Sequence, residues 1–364
     1  MHFSDTVTPA GTNHLTTTPR SICILRLSAI GDVTHVVPVA RLLQKQCPDV
    51  QITWVIGRIE AQLVGDIPGI EFIIFDKGTG LTAYKRLRSA MEGRHFDILL
   101  HMQISLRASL ASMLIPARIR LGYDHKRAKQ LQWLFTNAKI TPIERQHVLD
   151  SFLCFPEWMG LDTNELEWNI PVPDDAANDA RQYLSTGEHL LLINPCSSVR
   201  LKNFRNWSVE GYAAVADHAI TRYGVRVILT GGPSEQERMY AEQIRNIMRH
   251  DALNLVGKTN LKQLLALITQ ADLVIAPDTG PMHMAVAAGT PVIGLFATSN
   301  PNRSGPYKYR DLVVNAYPLT LQEFNGLSVE DAPWGMRVRH PDAMDRITTD
   351  MVIAKLDYAL TSKP

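Results

Sequence analysis

Three short segments of this 364-residue chain hold residue types able to do chemistry, and each follows an apolar run. The first reads Leu273-Val274-Ile275-Ala276-Pro277-Asp278-Thr279-Gly280-Pro281-Met282-His283. Here a strand-like run passes through Asp-Thr-Gly straight into a helical pattern. Gly280 lets backbone come close to a ligand, and Pro281 suits the first turn of a helix. The open amides of such a helix start, with the Thr279 hydroxyl, make a seat for an anion such as a diphosphate. The same residues also fit a plain helix cap made by Asp278 or Thr279.

The second segment is Asn194-Pro195-Cys196-Ser197-Ser198, followed by Arg200, Lys202, Arg205 and Trp207. Two hydroxyls and three cations beyond a strand end suit a phosphate; a solvated basic loop is the plainer alternative. The third is Leu27-Ser28-Ala29-Ile30-Gly31-Asp32-Val33-Thr34-His35, where Asp32 is either a helix cap or a carboxylate general base. There is no GxGxxG dinucleotide fingerprint, no Walker loop, no HExxH and no GxSxG. A fourth feature is a basic run, Arg118, Arg120, Lys126, Arg127 and Lys129, leading into Trp133, Leu134 and Phe135. A basic patch beside an apolar one suits a membrane surface with anionic headgroups, or else it is a solvated face beside a core helix.

The elements that must hold these segments alternate. Strands are predicted at 21–27, 51–56, 71–75 and 96–101, with helices from 34, at 81–91 and at 106–114. After a Pro-containing pause the alternation resumes. Strands are predicted at 190–194, 225–230, 273–276 and 292–296, and helices at 209–223, 234–249, 261–270, 282–288 and 349–360. Strand–helix alternation implies parallel pairing and an α/β, doubly wound sheet, with ligands beyond the carboxyl ends of the strands. The expected division is a disordered tail 1–20, a first domain 21–160, a linker 161–187, a second domain 188–345 and a final helical segment 346–364, the two domains facing a cleft.

Composition narrows the function. With 37 Lys and Arg against 36 Asp and Glu, nothing calls for nucleic acid. Cys23, Cys47, Cys154 and Cys196 form no CxxC pair, so neither a metal site nor a disulfide framework is expected, and reduced thiols in the cytosol are. The N-terminal residues lack the apolar stretch of a signal peptide, and no apolar run reaches the ~20 residues of a membrane span.

Together the carriers Arg26-Leu27-Ser28-Ala29-Ile30-Gly31-Asp32-Val33, the Asn194–Trp207 loop, Asp278–His283 and Asn300-Pro301-Asn302-Arg303-Ser304-Gly305-Pro306-Tyr307 resemble the bacterial lipopolysaccharide heptosyltransferases. These are inverting enzymes of glycosyltransferase family 9, with two Rossmann-like domains of GT-B type. The resemblance covers the chain from about residue 21 onward. It implies transfer of heptose from ADP-heptose to Kdo or heptose of the inner core, with donor on the second domain and lipid A–Kdo acceptor on the first. It makes Asp32 the base. It puts Ser197, Ser198, Arg205, Thr279, Gly280 and His283 around the diphosphate, Asp278 at the sugar, and Glu235 or Glu237 at the ribose. Arg120, Lys126 and Arg127 are the candidates for the anionic acceptor. No cofactor or metal is implied; the Asp-x-Asp metal motif of the other main glycosyltransferase type is missing. The resemblance also implies a cytoplasmic enzyme in peripheral contact with the inner membrane, and a last helix that returns to the first domain. The chain departs from the family's pattern at Ala297-Thr298-Ser299-Asn300, where Gly-Pro-Thr-Asp is common, and by Arg205 in place of a lysine. Other readings are a nucleotide-sugar epimerase, hydrolase or phosphorylase of the same shape, and a non-catalytic binding protein.

Overall fold

The computed structural model describes residues 18–183, 189–197 and 203–361. Most of the expected tail therefore lies outside the described residues. The fold divides into two units. The first comprises residues up to Glu144 with Leu149–Trp168, the second Arg145–Val148 with everything from Asn169 on. The segment expected to be a linker is thus shared between the units.

In the first unit the order is β1 (Ser21–Leu25), α1 (Ile30–Gln46), β2 (Gln51–Gly57), α2 (Arg58–Val64), β3 (Ile70–Phe75), α3 (Leu81–Ala90), β4 (Phe96–His101), α4 (Leu106–Ser112), β5 (Ala117–Gly122), β6 (Ala138–Lys139) and α5 (Val148–Trp158). The sheet runs β3-β2-β1-β4-β5-β6, every pairing parallel. Its central strands are covered on both faces, so β1 reads as an unbroken apolar run, Ile22 to Leu25 being fully buried.

The second unit contains α6 (Asp174–Arg181), β7 (Leu190–Ile193), α7 (Val209–Tyr223), β8 (Arg226–Leu229), α8 (Glu235–Ile247), β9 (Leu253–Asn254), α9 (Leu261–Gln270), β10 (Leu273–Pro277), α10 (Gly280–Ala288), β11 (Val292–Phe296), α11 (Pro301–Ser304), β12 (Val314–Asn315), α12 (Tyr317–Asn325) and α13 (Thr349–Thr361). Its sheet is β12-β11-β10-β7-β8-β9, again all parallel. Numbered from β7, that is the strand order of the first sheet. Both are the 3-2-1-4-5-6 doubly wound order.

One expectation is corrected here. The supposed linker contains α6, which packs on α9; Gln263 of α9 donates to Asp179 at 2.6 Å. The final helix, α13, packs on α7 and belongs to the second unit. Its Val352 and Leu356 are fully buried in the core that holds Trp207 and Tyr212, each worth about 1.5–3 kcal/mol. Asp357 fixes the docking angle, accepting from the Tyr223 hydroxyl at 2.9 Å and lying 2.7 Å from His218 Nε2.

Candidate functional site

In doubly wound sheets ligands bind beyond the carboxyl ends of the strands, where the strand order reverses. That point lies between β1 and β4 in the first unit and between β7 and β10 in the second. All three sequence segments open at one or other of these points. The Ser197 and Thr279 loops leave adjacent parallel strands at the same end of one sheet.

At the first switch point Asp32 is the third residue of α1. The Ala29 amide donates to its Oδ2 at 3.3 Å, which ties the helix start in the manner of a capping box. The Arg26 guanidinium sits 2.5 Å from the same oxygen. Arg26 is itself held by donation to the Met102 carbonyl at 2.6 Å and by the Phe152 ring, 5.0 Å away. Gln103, just past β4, accepts from the Leu27 and Ser28 amides at 3.0 and 3.2 Å, fixing the loop before the helix. Asp32 keeps 34% of its side chain exposed. Among the described residues no donor reaches its Oδ1. The carboxylate is therefore oriented through one oxygen and open at the other.

At the second switch point Asp278 closes β10, with only 10% of its side chain exposed. Arg205 donates to its carbonyl at 2.6 Å and lies 3.6 Å from Oδ2. The Ser299 hydroxyl donates to Oδ2 at 2.7 Å, and His283 Nε2 stands 4.0 Å from Oδ1. Burial pushes this carboxyl up. Arg205, His283, the Ser299 hydrogen bond and Arg337 outweigh it, so the net shift is below the ordinary carboxylate value. Thr279 is the N-cap of α10, yet its side chain makes no capping bond. Its Oγ1 is buried without a partner among the described residues. A buried hydroxyl left without a partner costs free energy, and here it stands beside the open amides of a helix start, the arrangement that receives an anion.

Other predicted residues divide by what holds them. Ser197 donates its one hydroxyl proton to Asn206 and accepts from Asn203 at 2.9 Å, so its side chain braces its own loop. Ser198, with Arg200 and Lys202, lies outside the described residues. Arg205 is held against Asp278 through the carbonyl and the carboxylate of that residue. Of the two glutamates in the first turn of α8, Glu235 is exposed. Glu237 turns back over Gly231 and Gly232, where a Cβ on Gly232 would come within 2.7 Å of its carboxylate. Burial raises the Glu237 carboxyl, against the hydrogen bonds from Gly232 and Ser234.

The expected acceptor trio is engaged internally. Arg120 donates to the carbonyls of Phe135, Ile115 and Ser112 at 2.9, 2.9 and 2.6 Å, and so locks β5 to the turn beyond it. Lys126 pairs with Glu144 at 2.5 Å. Arg127 pairs with buried Asp124 and donates to the Thr141 carbonyl. Sequence reasoning missed the positioning role of Arg26 and Gln103; a strand-end position for both was the available signal. It also missed Arg337. An antiparallel bridge from Arg337 to Ser299 carries it to Asp278, and no local pattern announces that bridge.

Two doubly wound units, an oriented carboxylate at one switch point and an anion seat at the other suit a group-transfer enzyme with a phosphorylated donor. The model of glycosyltransferase family 9 (heptosyltransferase) matches residues 84–330. The lipopolysaccharide core heptosyltransferase OpsX of Haemophilus influenzae is 39% identical, over 94% of this chain and 97% of that one. Lipopolysaccharide heptosyltransferase 3 of Escherichia coli is 25% identical, over 74% and 80%. Among solved structures, a family 9 glycosyltransferase from Veillonella parvula superposes with TM-score 0.79 at 22% identity, over 97% and 100% of the two chains. The E. coli heptosyltransferase WaaC with ADP gives 0.71 at 18%, over 93% and 99%. At those identities the structures speak for the fold, the GT-B type. The chain belongs to glycosyltransferase family 9, the heptosyltransferases.

Proposed function

We propose that this enzyme moves heptose from ADP-heptose onto Kdo or heptose in the inner core of lipopolysaccharide, with inversion. The first unit receives the acceptor. Asp32 Oδ1 takes the proton of the attacking hydroxyl while that oxygen bonds to the anomeric carbon, and the bond from that carbon to the diphosphate breaks. The second unit holds the donor. Thr279 and the Gly280 end of α10 receive the diphosphate, and Arg205 and His283 keep Asp278 ionised beside the sugar. Arg337 and the helix amides meet the charge that grows on departing ADP. The acceptor is lipid-borne, so the enzyme works in the cytoplasm against the inner membrane. What supports the reading is the 39% identity, spanning nearly the whole chain, to a lipopolysaccharide core heptosyltransferase, joined to the open oxygen of Asp32.

The purified enzyme should be incubated with ADP-heptose, with and without a Kdo–lipid A acceptor, and ADP release and acceptor mass followed. ADP release together with a one-heptose mass gain, both requiring acceptor, is expected. Release without acceptor makes the protein a hydrolase. Binding without turnover makes it a carrier. Comparing Kdo, phosphorylated Kdo and heptosylated acceptors then fixes which one is used.

A further inference from the structure

The side chains that the acceptor reading of the basic run relied on are all held by partners of this chain, Lys126 in an exposed ion pair with Glu144, yet the same stretch leaves a different surface outside. On α4, Leu106 and Leu110, with Met113 at the C-cap, recur at helical spacing and are 49, 38 and 59% exposed. Beside them, around the 3-10 turn Gln132–Phe135, Leu131, Trp133 and Leu134 are 55, 43 and 58% exposed. The two groups belong to one surface. The Leu106 amide donates to Gln130 Oε1 at 2.7 Å, and α4 packs on the turn. Gln132, wholly buried between its exposed neighbours, donates to the His101 carbonyl at 2.8 Å and pins the turn to the end of β4. The apolar tips are thus held outward on a fixed frame. Contiguous exposed apolar surface of this kind marks an interaction site.

Charge says which kind. Residues 98–143 contain seven Lys and Arg and one acid, Asp124, in a chain that is almost balanced as a whole. Asp124 is buried against Arg127, so this stretch offers no exposed carboxylate. Arg107 and Lys129, each next to one of the apolar groups, are exposed. A second copy of the same surface would bring like charges together. An anionic bilayer satisfies both features, because aliphatic side chains enter the acyl boundary, tryptophan settles at the headgroup level and Lys or Arg meets phosphate.

We propose that the outer face of α4 and the Leu131–Leu134 turn dock the first unit on an anionic phospholipid surface. Gln132 also reaches the carbonyl of Gln103 at 3.4 Å, and Gln103 holds the loop that leads to Asp32. Docking therefore brings the bilayer to the edge of the sheet that carries the base. The purpose of the surface rests on the lipid-borne acceptor proposed above; its affinity for lipid does not.

The test is co-sedimentation of the full chain with phosphatidylcholine vesicles, with and without phosphatidylglycerol, at low and high salt. Transfer to a water-soluble, delipidated acceptor is measured in parallel. The wild type should prefer phosphatidylglycerol and lose that preference in high salt. The triple variant Leu131→Ser, Trp133→Ser, Leu134→Ser should lose roughly a hundredfold in vesicle binding. Arg107→Gln with Lys129→Gln should lose about tenfold or more. This second variant keeps the test decisive if the first misfolds. Both should transfer to the soluble acceptor at the wild-type rate. Variants that bind vesicles like the wild type, or a wild type indifferent to phosphatidylglycerol, overturn the proposal. So does a dimer in sedimentation velocity that dissolves in the triple variant while vesicles remain unbound. Absence of transfer in every variant, with vesicle binding behaving as expected, would instead overturn the functional reading.

Discussion

At the first switch point the acid follows β1, and the residue that braces the loop, Gln103, follows β4. At the second the acid follows β10, the fourth strand of its own sheet, and the bracing loop of Asn194 and Ser197 follows β7. The strand orders match while the roles trade places. The environments differ more. Asp32 has one hand tied by Arg26 and Ala29 and a third of its side chain in solvent. Asp278 is enclosed and met by Arg205, Ser299 and His283. A carboxylate that must take and release a proton needs an open lone pair and water within reach. A carboxylate that must keep its charge needs burial offset by partners. Position in the topology offers both aspartates a site, and their surroundings decide what each does there.

Exchanging each acid for its amide should separate them. Asp32→Asn keeps an acceptor for the Ala29 amide and for Arg26, and Asn serves a helix start about as well as Asp. Donor binding should change little and melting should fall less than for Asp278, because Asp32 is a third exposed although its partner Arg26 is buried, while the transfer rate falls roughly 10²–10⁴-fold. Normal melting with near-normal turnover would leave Asp32 a capping residue only. Asp278→Asn should behave the other way. Arg205 loses its counter-charge in a buried setting, a change that costs about 3–5 kcal/mol. The variant should unfold at clearly lower denaturant. Unchanged unfolding of Asp278→Asn would show that burial is not what distinguishes the two acids.

Acid titration sharpens the same contrast on a second pair of residues. His101, at the end of β4, is pushed down to about 4, chiefly by burial. His147, in the second unit, is pushed down to about 3, also chiefly by burial, against the hydrogen bond to Gly305. An unfolded histidine titrates near 6.5, so between those values the unfolded chain binds the extra proton. Stability is then full above about 6.5 and is lost as the pH falls toward 4. For His101 the loss amounts to roughly 3 kcal/mol. Asp278, with its lowered value, contributes above the ordinary carboxylate range near 4 and is lost only below it. Urea unfolding at stepped pH should show a first decline starting near pH 6.5, reduced in His101→Gln. A flat profile down to about pH 4 would contradict the burial of these imidazoles.

Much of this was legible in the sequence for a definite reason. The buried parallel strands β1, β4, β7, β10 and β11 are apolar runs ending in polar joints, so period and punctuation place both switch points to within a residue or two. β5 was not legible. Its Arg118 and Arg120 alternate along an outer strand, and alternating arginines read as surface charge. The short edge strands β6, β9 and β12 have two residues each and no period to detect. The docking of α13 on α7 is fixed by Asp357 meeting His218 and Tyr223, partners far away in sequence. The partners of Arg120 and Arg205 are carbonyl groups, which have no sequence signature. Side-chain type thus indicated where chemistry can occur, while the hydrogen-bond partner decided which of these cations is structural.

The smallest expected effect concerns Glu235 and Glu237, which share the first turn of α8 and differ in direction. Glu235 is exposed, where an acid near a helix start contributes a few tenths of a kcal/mol and little else. Glu237 lies half-buried over Gly231-Gly232, at the carboxyl end of β8, next to the switch-point strand. We propose Glu237, the carboxylate that faces the sheet, ahead of Glu235 for the ribose of a donor laid across that end. Glu237→Gln keeps size and hydrogen bonding but removes the charge-assisted bond, a loss of about tenfold in donor affinity. It should appear as a raised KM for ADP-heptose with kcat unchanged, since the ribose is bound equally before and during transfer. Glu235→Gln should leave both constants within about twofold. Because Glu237 also braces Gly232, melting must be recorded beside the kinetics. A Glu237→Gln enzyme with lowered melting and unchanged KM would make this carboxyl a loop brace. Equal KM effects from both variants would mean that net charge at the helix start, and no specific contact, is what the donor feels.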